Sequence, residues 1–184
     1  SVFEYLDYEL IKRNPKPLCG FSDSTSLENA IYSKTGVITF NGPTFKALTS
    51  WATPYAYEEV IKRFVKGDMT LGQEDDEYIT IKEGEAEGIL VGGNLSLTSE
   101  MTCGKYSIDY TDKILFIEEF CLETPPELVS NYLYYMKQNG VFDKIKGIWV
   151  GNYDGSVALE RILLDVLDDK YNFPIIKSNN FGHT

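Results

Sequence analysis

The chain has 184 residues, with 17 Lys and Arg against 28 Asp and Glu, a formal net charge of −11. Hydrophobic residues make up 43% and charged residues 24%, a balance that supports a packed core and excludes a disordered chain. A surface this acidic repels phosphate backbones and anionic lipid, so neither nucleic acid nor a membrane is an expected partner. No apolar run approaches the roughly 18 residues of a spanning helix, and Ser1-Val2-Phe3-Glu4 does not open a signal peptide. Cys19, Cys103 and Cys121 are odd in number and widely spaced, which fits neither a disulfide framework nor a zinc site. Cys19 and Cys121 adjoin apolar runs and are expected to be reduced and buried, which places the protein in the cytoplasm. A single histidine, His183, rules out a multi-histidine metal centre, so the chemistry is expected to need neither metal nor cofactor.

In chain order, short apolar runs alternate with amphipathic stretches, the rhythm of an α/β fold. Pro17-Leu18-Cys19-Gly20-Phe21 reads as a short strand. Thr25-Ser26-Leu27-Glu28 then fits a capping box, with Leu27, Ala30 and Ile31 at helical spacing and Gly36 as the stop. Val37-Ile38-Thr39-Phe40 is the next strand, ended by Asn41-Gly42-Pro43, and residues 55–65 form a helix with Tyr57, Val60, Ile61 and Phe64 on one face. Residues 66–85 carry Gly67, Gly72, Gly84 and the acidic run Glu74-Asp75-Asp76-Glu77, so they read as a linker or as a solvated loop.

The α/β rhythm then restarts. Gly88-Ile89-Leu90-Val91-Gly92-Gly93 is a strand entering a glycine turn, with Asn94 placed to cap the next segment; the turn could offer amides to an anion or simply be tight. Ile114-Leu115-Phe116-Ile117 is a buried strand ending in Glu118-Glu119. Pro125-Pro126 opens a helix whose Leu128, Val129, Tyr132, Leu133 and Met136 share a face, closed by Gly140. Gly147-Ile148-Trp149-Val150 is another strand, residues 157–167 form a strongly amphipathic helix, and Pro174-Ile175-Ile176 is a last strand before Phe181-Gly182-His183-Thr184.

In open α/β sheets, sites form at the carboxyl ends of strands. Ser22 lies between a strand and a helix start, the placement of a nucleophile elbow, although Ser24 stands where that motif has its second glycine. Ser22 and Asp23 could equally be turn and capping residues. Glu118 or Glu119 at a strand end could orient a histidine, or both could be solvated. His183 is the one side chain whose unperturbed pKa lies near neutrality and so the obvious base for a serine, although a penultimate residue is commonly part of a frayed tail. Trp51, Tyr55 and Tyr78 could stack on a nucleotide base or simply pack.

At these residues the chain resembles the LD-carboxypeptidase/microcin C immunity family of serine peptidases. The resemblance rests on ordered segments: Tyr5-Leu6-Asp7-Tyr8 with Asn14-Pro15-Lys16; Gly20-Phe21-Ser22-Asp23-Ser24-Thr25; Thr35-Gly36-Val37 with Asn41-Gly42-Pro43; Ala86-Glu87-Gly88 with Gly92-Gly93-Asn94-Leu95; Ile114-Leu115-Phe116-Ile117-Glu118-Glu119; Gly147-Ile148-Trp149-Val150-Gly151; and Phe181-Gly182-His183. It implies a metal-independent hydrolase with Ser22 as nucleophile, Glu118 as acid, His183 as base and the Asp23 amide as an oxyanion donor. The implied substrate is a small peptide, the L,D-linked murein tetrapeptide, or a peptidyl-nucleotide of the microcin C type, with a homodimer as a further partner.

The implied fold is the end of an N-terminal parallel-sheet (Rossmann-like) domain over residues 1–65, a linker over 66–85, and a C-terminal α/β domain over 86–184 carrying acid and base. Family members carry a further N-terminal stretch and a strand beyond the histidine, so the resemblance implies a truncated member whose parent is the active hydrolase. The alternative is a catalytically inactive fragment or a non-enzymatic binding module on the same scaffold.

Overall fold

The apolar runs of the sequence become two sheets, and the amphipathic stretches become the helices that cover them. The computed structural model describes residues 2–50, 52–70, 78–179 and 181–183. Trp51, Gly72 and the acidic run Glu74-Asp75-Asp76-Glu77 lie outside the described residues. A 3₁₀ turn at Phe3–Tyr5 and helix α1 (Tyr8–Arg13) precede strand β1 (Cys19–Gly20), helix α2 (Ser24–Thr35) and strand β2 (Phe40–Asn41). β1 and β2 pair in parallel as a two-stranded sheet, so the βαβ unit read from the sequence is present, with the second strand shorter and later than residues 37–40. Helices α3 (Phe45–Ser50) and α4 (Pro54–Val60) follow, and α4 continues as a π-helical turn over Ile61–Val65.

The second sheet has five strands: β3 (Ile79–Lys82), β4 (Leu90–Asn94), β5 (Ile114–Glu118), β6 (Gly147–Val150) and β7 (Ile175–Lys177). Their spatial order is β3-β7-β6-β5-β4, parallel throughout except for β3, which pairs antiparallel with β7 at the edge. β6 is central and β5 lies beside it; both read as continuous apolar runs, with one face buried in the core and Phe116 and Trp149 half-buried on the other. β3 lies within residues 66–85, a stretch with too few buried positions to announce a strand; two of its four residues are exposed, as suits an edge.

Helices α5 (Leu95–Glu100), α6 (Pro126–Gln138) and α7 (Leu159–Leu167) cover the sheet. α7 buries Leu159, Ile162, Leu163 and Leu167, and α6 buries Val129, Leu133 and Met136, each set spaced to form one stripe. These side chains meet Leu115, Ile117, Ile148 and Val150 of β5 and β6 in one continuous core.

α2 is fastened to the edge of this sheet by polar contacts. Asn29 Nδ2 donates to the Gly92 carbonyl at 3.2 Å, and the Asn94 amide donates to Thr25 Oγ1 at 3.2 Å. Gly93 permits the approach: it has φ +127°, and a Cβ there would lie 2.8 Å from the Thr25 side chain. The expected capping box therefore does not cap. α2 already begins at Ser24, so Thr25 sits inside the helix and gives its hydroxyl oxygen to β4 instead. Asn94, by contrast, caps α5 as expected, accepting from the Leu97 amide. The cysteines are free thiols; Cys19 and Cys121 are half-buried rather than sealed in the core, because each sits where a strand has just ended or is about to, and Cys103 is exposed.

Truncating Leu163 to Ala should lower the unfolding free energy by about 2–5 kcal/mol, read from urea denaturation, because it empties the centre of the α7 stripe. Leu164→Ala on the outer face should cost less than about 1 kcal/mol, and equal losses at the two positions would contradict this packing.

Candidate active site

β5 determines where the site forms. Its parallel register with β4 sets Glu118 beside Asn94 at the carboxyl end of the sheet. Glu118 is only 1% exposed. Its Oε2 accepts two hydrogen bonds from His183, from ring Nδ1 at 2.7 Å and from the backbone amide at 3.1 Å. Burial pushes the Glu118 carboxyl upward, against the imidazole hydrogen bond and charge that favour its anion. With the carboxylate ionised it can only accept, which puts the ring proton on Nδ1 and leaves Nε2 as the accepting nitrogen.

His183 is held by more than this bond. After β7 the chain turns back across the sheet end, with Ser178 N–H on the Val150 carbonyl and Asn152 N–H on the Phe181 carbonyl. The Asn152 side-chain amide donates to the His183 carbonyl. Phe120 stacks on the imidazole with centroids 4.8 Å apart. Gly182 lets the backbone pass the carboxylate: its φ is +102°, and a Cβ there would lie 2.7 Å from Glu118 Cβ. The histidine is therefore half-buried and anchored, not part of a frayed tail.

Ser22 occupies the turn between β1 and α2 with φ 54°, a left-handed conformation that a non-glycine residue adopts at a cost of roughly 1–3 kcal/mol. The Ser24 and Thr25 amides close back onto the Phe21 and Ser22 carbonyls at 3.3 and 2.8 Å. The Asp23 amide takes no part in these bonds, and Asp23 makes no side-chain cap. The Phe21 ring meets the His183 ring edge-on at 5.8 Å, which sets the serine turn alongside the imidazole. Among the described residues, no hydrogen bond joins the Ser22 hydroxyl to that ring. The geometry thus couples Glu118 to His183 directly and Ser22 to them through its neighbour.

Glu119 takes a different role from Glu118. Its carboxylate accepts from Asn94 Nδ2, the Ser96 amide and the Phe120 amide at 2.7–2.9 Å, tying the β4–α5 junction to the strand end. Three residues that the sequence did not single out also shape the site: Asn152 and Phe120 through their contacts with His183, and Glu28. Glu28 is 4% exposed on α2 and hydrogen-bonded to Ser24 Oγ at 2.9 Å. Burial pushes its carboxyl up to about 7, partly offset by that hydrogen bond. Of the aromatics considered for stacking, Tyr78 packs on Trp149 at 5.9 Å, and Tyr55 is half exposed on α4. Among the described residues, no group of three or more His, Cys, Asp or Glu is placed to hold a metal, and no helix is long and apolar enough to cross a membrane.

Comparison with known proteins matches residues 87–184 to the LD-carboxypeptidase C-terminal domain and residues 1–42 to the LD-carboxypeptidase N-terminal domain. A probable murein peptide carboxypeptidase of Bacillus subtilis (strain 168) is 30% identical over 97% of this chain and 58% of its own length. The crystal structure of an MccF-like protein from Bacillus anthracis str. Ames superposes with a TM-score of 0.82 at 31% identity, covering 99% of this chain and 64% of that one. MccF in complex with glutamyl sulfamoyl guanosine gives a TM-score of 0.82 at 25% identity over 98% of this chain and 63% of that one. The chain thus spans about three fifths of the length of each of these proteins.

Replacing Gly182 by Ala should push His183 off Glu118, seen as loss of the downfield Nδ1–H proton resonance of the pair; an unchanged resonance would contradict the close packing. Glu28 gives a stability test. Its folded-state value of about 7 lies above the ordinary 4.5, so between these values the folded chain holds a proton that the unfolded chain has lost. Stability therefore falls as pH rises through that window, by about 3 kcal/mol in all, and is level above it. Glu28→Gln should lack this decline in urea titrations across the range, and parallel curves for variant and parent would count against it.

Proposed function

The chain belongs to the LD-carboxypeptidase family, and on that footing we propose that it carries the centre of a metal-independent serine hydrolase that cleaves an amide bond near a peptide C-terminus. The observation that supports this reading best is the 2.7 Å bond between Glu118 Oε2 and His183 Nδ1. It holds the imidazole in the tautomer whose Nε2 can take a proton.

In this reading Ser22 Oγ attacks the scissile carbonyl carbon as His183 Nε2 removes its proton. Negative charge gathers on the carbonyl oxygen, and the Asp23 amide at the start of α2 donates to it. The tetrahedral intermediate collapses, the amine leaves with the proton from Nε2, and an acyl-serine remains. Water then gives a proton to Nε2 and its oxygen to the acyl carbon, releasing the acid and restoring Ser22. Glu118 stays ionised throughout and stabilises the imidazolium that forms twice in the cycle. The left-handed Ser22 backbone suits this role, since strain of that kind projects a hydroxyl away from the sheet.

The proposed division of labour follows the two matched segments, with the nucleophile in residues 1–65, the linker in 66–85, and acid and base in 86–184. Proposed substrates are murein tetrapeptide, after the function named for the B. subtilis relative, and a peptidyl-nucleotide, after the ligand bound to MccF. Both present a carbonyl to a serine, and they differ in the leaving group.

In the complete protein, Ser22→Ala should lower kcat on murein tetrapeptide or on a peptidyl-adenylate analogue by a factor on the order of 10³ or more. Undiminished turnover of both would remove Ser22 from the mechanism.

A further inference from the structure

The Ser24 hydroxyl has one hydrogen and two acceptors within reach. Its Oγ lies 3.2 Å from the Phe21 carbonyl and 2.9 Å from Glu28 Oε1. With Glu28 ionised, the single hydrogen serves one of them and leaves the other. With Glu28 protonated, the carboxyl O–H donates to Ser24 Oγ and the Ser24 hydrogen goes to the Phe21 carbonyl, so the whole chain is satisfied. The other bond that closes this turn onto Phe21 is long, the Ser24 amide at 3.3 Å, so the hydroxyl bond matters to its rigidity. Phe21 is in turn the residue whose ring packs on His183.

We propose that Glu28 is a positioning residue whose proton braces the Ser22 turn through Ser24, holding it when present and slackening it when lost. The proposal rests on Ser22 being the nucleophile and adds a control on where that hydroxyl is aimed. The group titrates in the right range, because burial raises it to about 7.

The surroundings leave it to act alone. From β1 the Cys19 thiol faces it, itself pushed up to about 11 by burial and by Glu28, and hence neutral. The Tyr32 phenol of α2 lines the same cavity of about 70 Å³, to which β2 and β4 contribute the uncharged Asn41, Val91 and Gly92. Among the described residues, no lysine or arginine pairs with Glu28.

The test follows the Phe21 backbone carbonyl by ¹³C NMR in the complete protein from about pH 5 to pH 9, beside pH profiles of kcat on murein tetrapeptide. The carbonyl should shift with a midpoint near 7 in the parent and stay fixed in Glu28→Gln, whose amide donates to Ser24 Oγ at every pH. The ratio of Glu28→Gln to parent kcat should rise severalfold from the acid to the alkaline end. Glu28→Leu, which does not compete for the Ser24 hydrogen, should likewise leave the carbonyl shift unchanged with pH. A carbonyl that does not titrate in the parent, one that titrates alike in Glu28→Gln, or parallel kcat profiles would each overturn the proposal. The carbonyl signal needs no turnover, so failure of Ser22 as nucleophile would instead appear as undiminished hydrolysis by Ser22→Ala with the carbonyl titration intact.

Discussion

A buried carboxylate and the imidazole that meets it organise this end of the molecule. Leu115 and Ile117 of β5 face the core, while Glu118 ends the strand on the opposite face and is buried there by the C-terminal segment that carries His183. A carboxylate taken from water needs a partner, and the partner here arrives from the far end of the chain. The same bond therefore anchors the C-terminal segment and fixes the tautomer of the only histidine. Gly182, Asn152 and Phe120 exist around that bond as clearance, tether and platform.

The other half of the site depends on how α2 meets β4. Asn29 and Thr25 take the backbone of β4 into their own hydrogen bonds, while Glu119 ties Asn94 and the start of α5 to the end of β5. The helix that begins just after Ser22 is thereby referred to the same sheet that presents Glu118. The join is polar and directional where the core is apolar and forgiving. A shift of α2 along the sheet would break several hydrogen bonds together, which is what keeps the Ser22 turn beside His183.

Much of this was legible in the sequence where periodicity and burial agree. Strands β5 and β6 announce themselves as uninterrupted apolar runs, and α6 and α7 as stripes at helical spacing, because each fills one side of one core. The three proposed site residues stand in the sequence as a strand-to-helix serine, a strand-end acid and a lone histidine. What was not legible depends on neighbours distant in sequence. β3 shows no pattern of its own because an edge strand paired to β7 buries little. The Thr25 to Glu28 spacing imitates a cap, yet starting the helix two residues earlier, with Asp23 at the N-cap, sends Thr25 to β4 and Glu28 into the interior. Glu28, the acid of that apparent capping box, shows its burial only once β1 and β2 close over it, and Asn152 carries no signal until the C-terminal segment lies against it.

The pairing of Glu118 with His183 is tested most directly by proton NMR of the chain, whose single histidine makes the assignment unambiguous. A far-downfield Nδ1–H resonance is expected in the parent, absent from Glu118→Ala and retained in Ser22→Ala. A parent spectrum without that resonance, or one that keeps it when Glu118 is removed, would contradict the account.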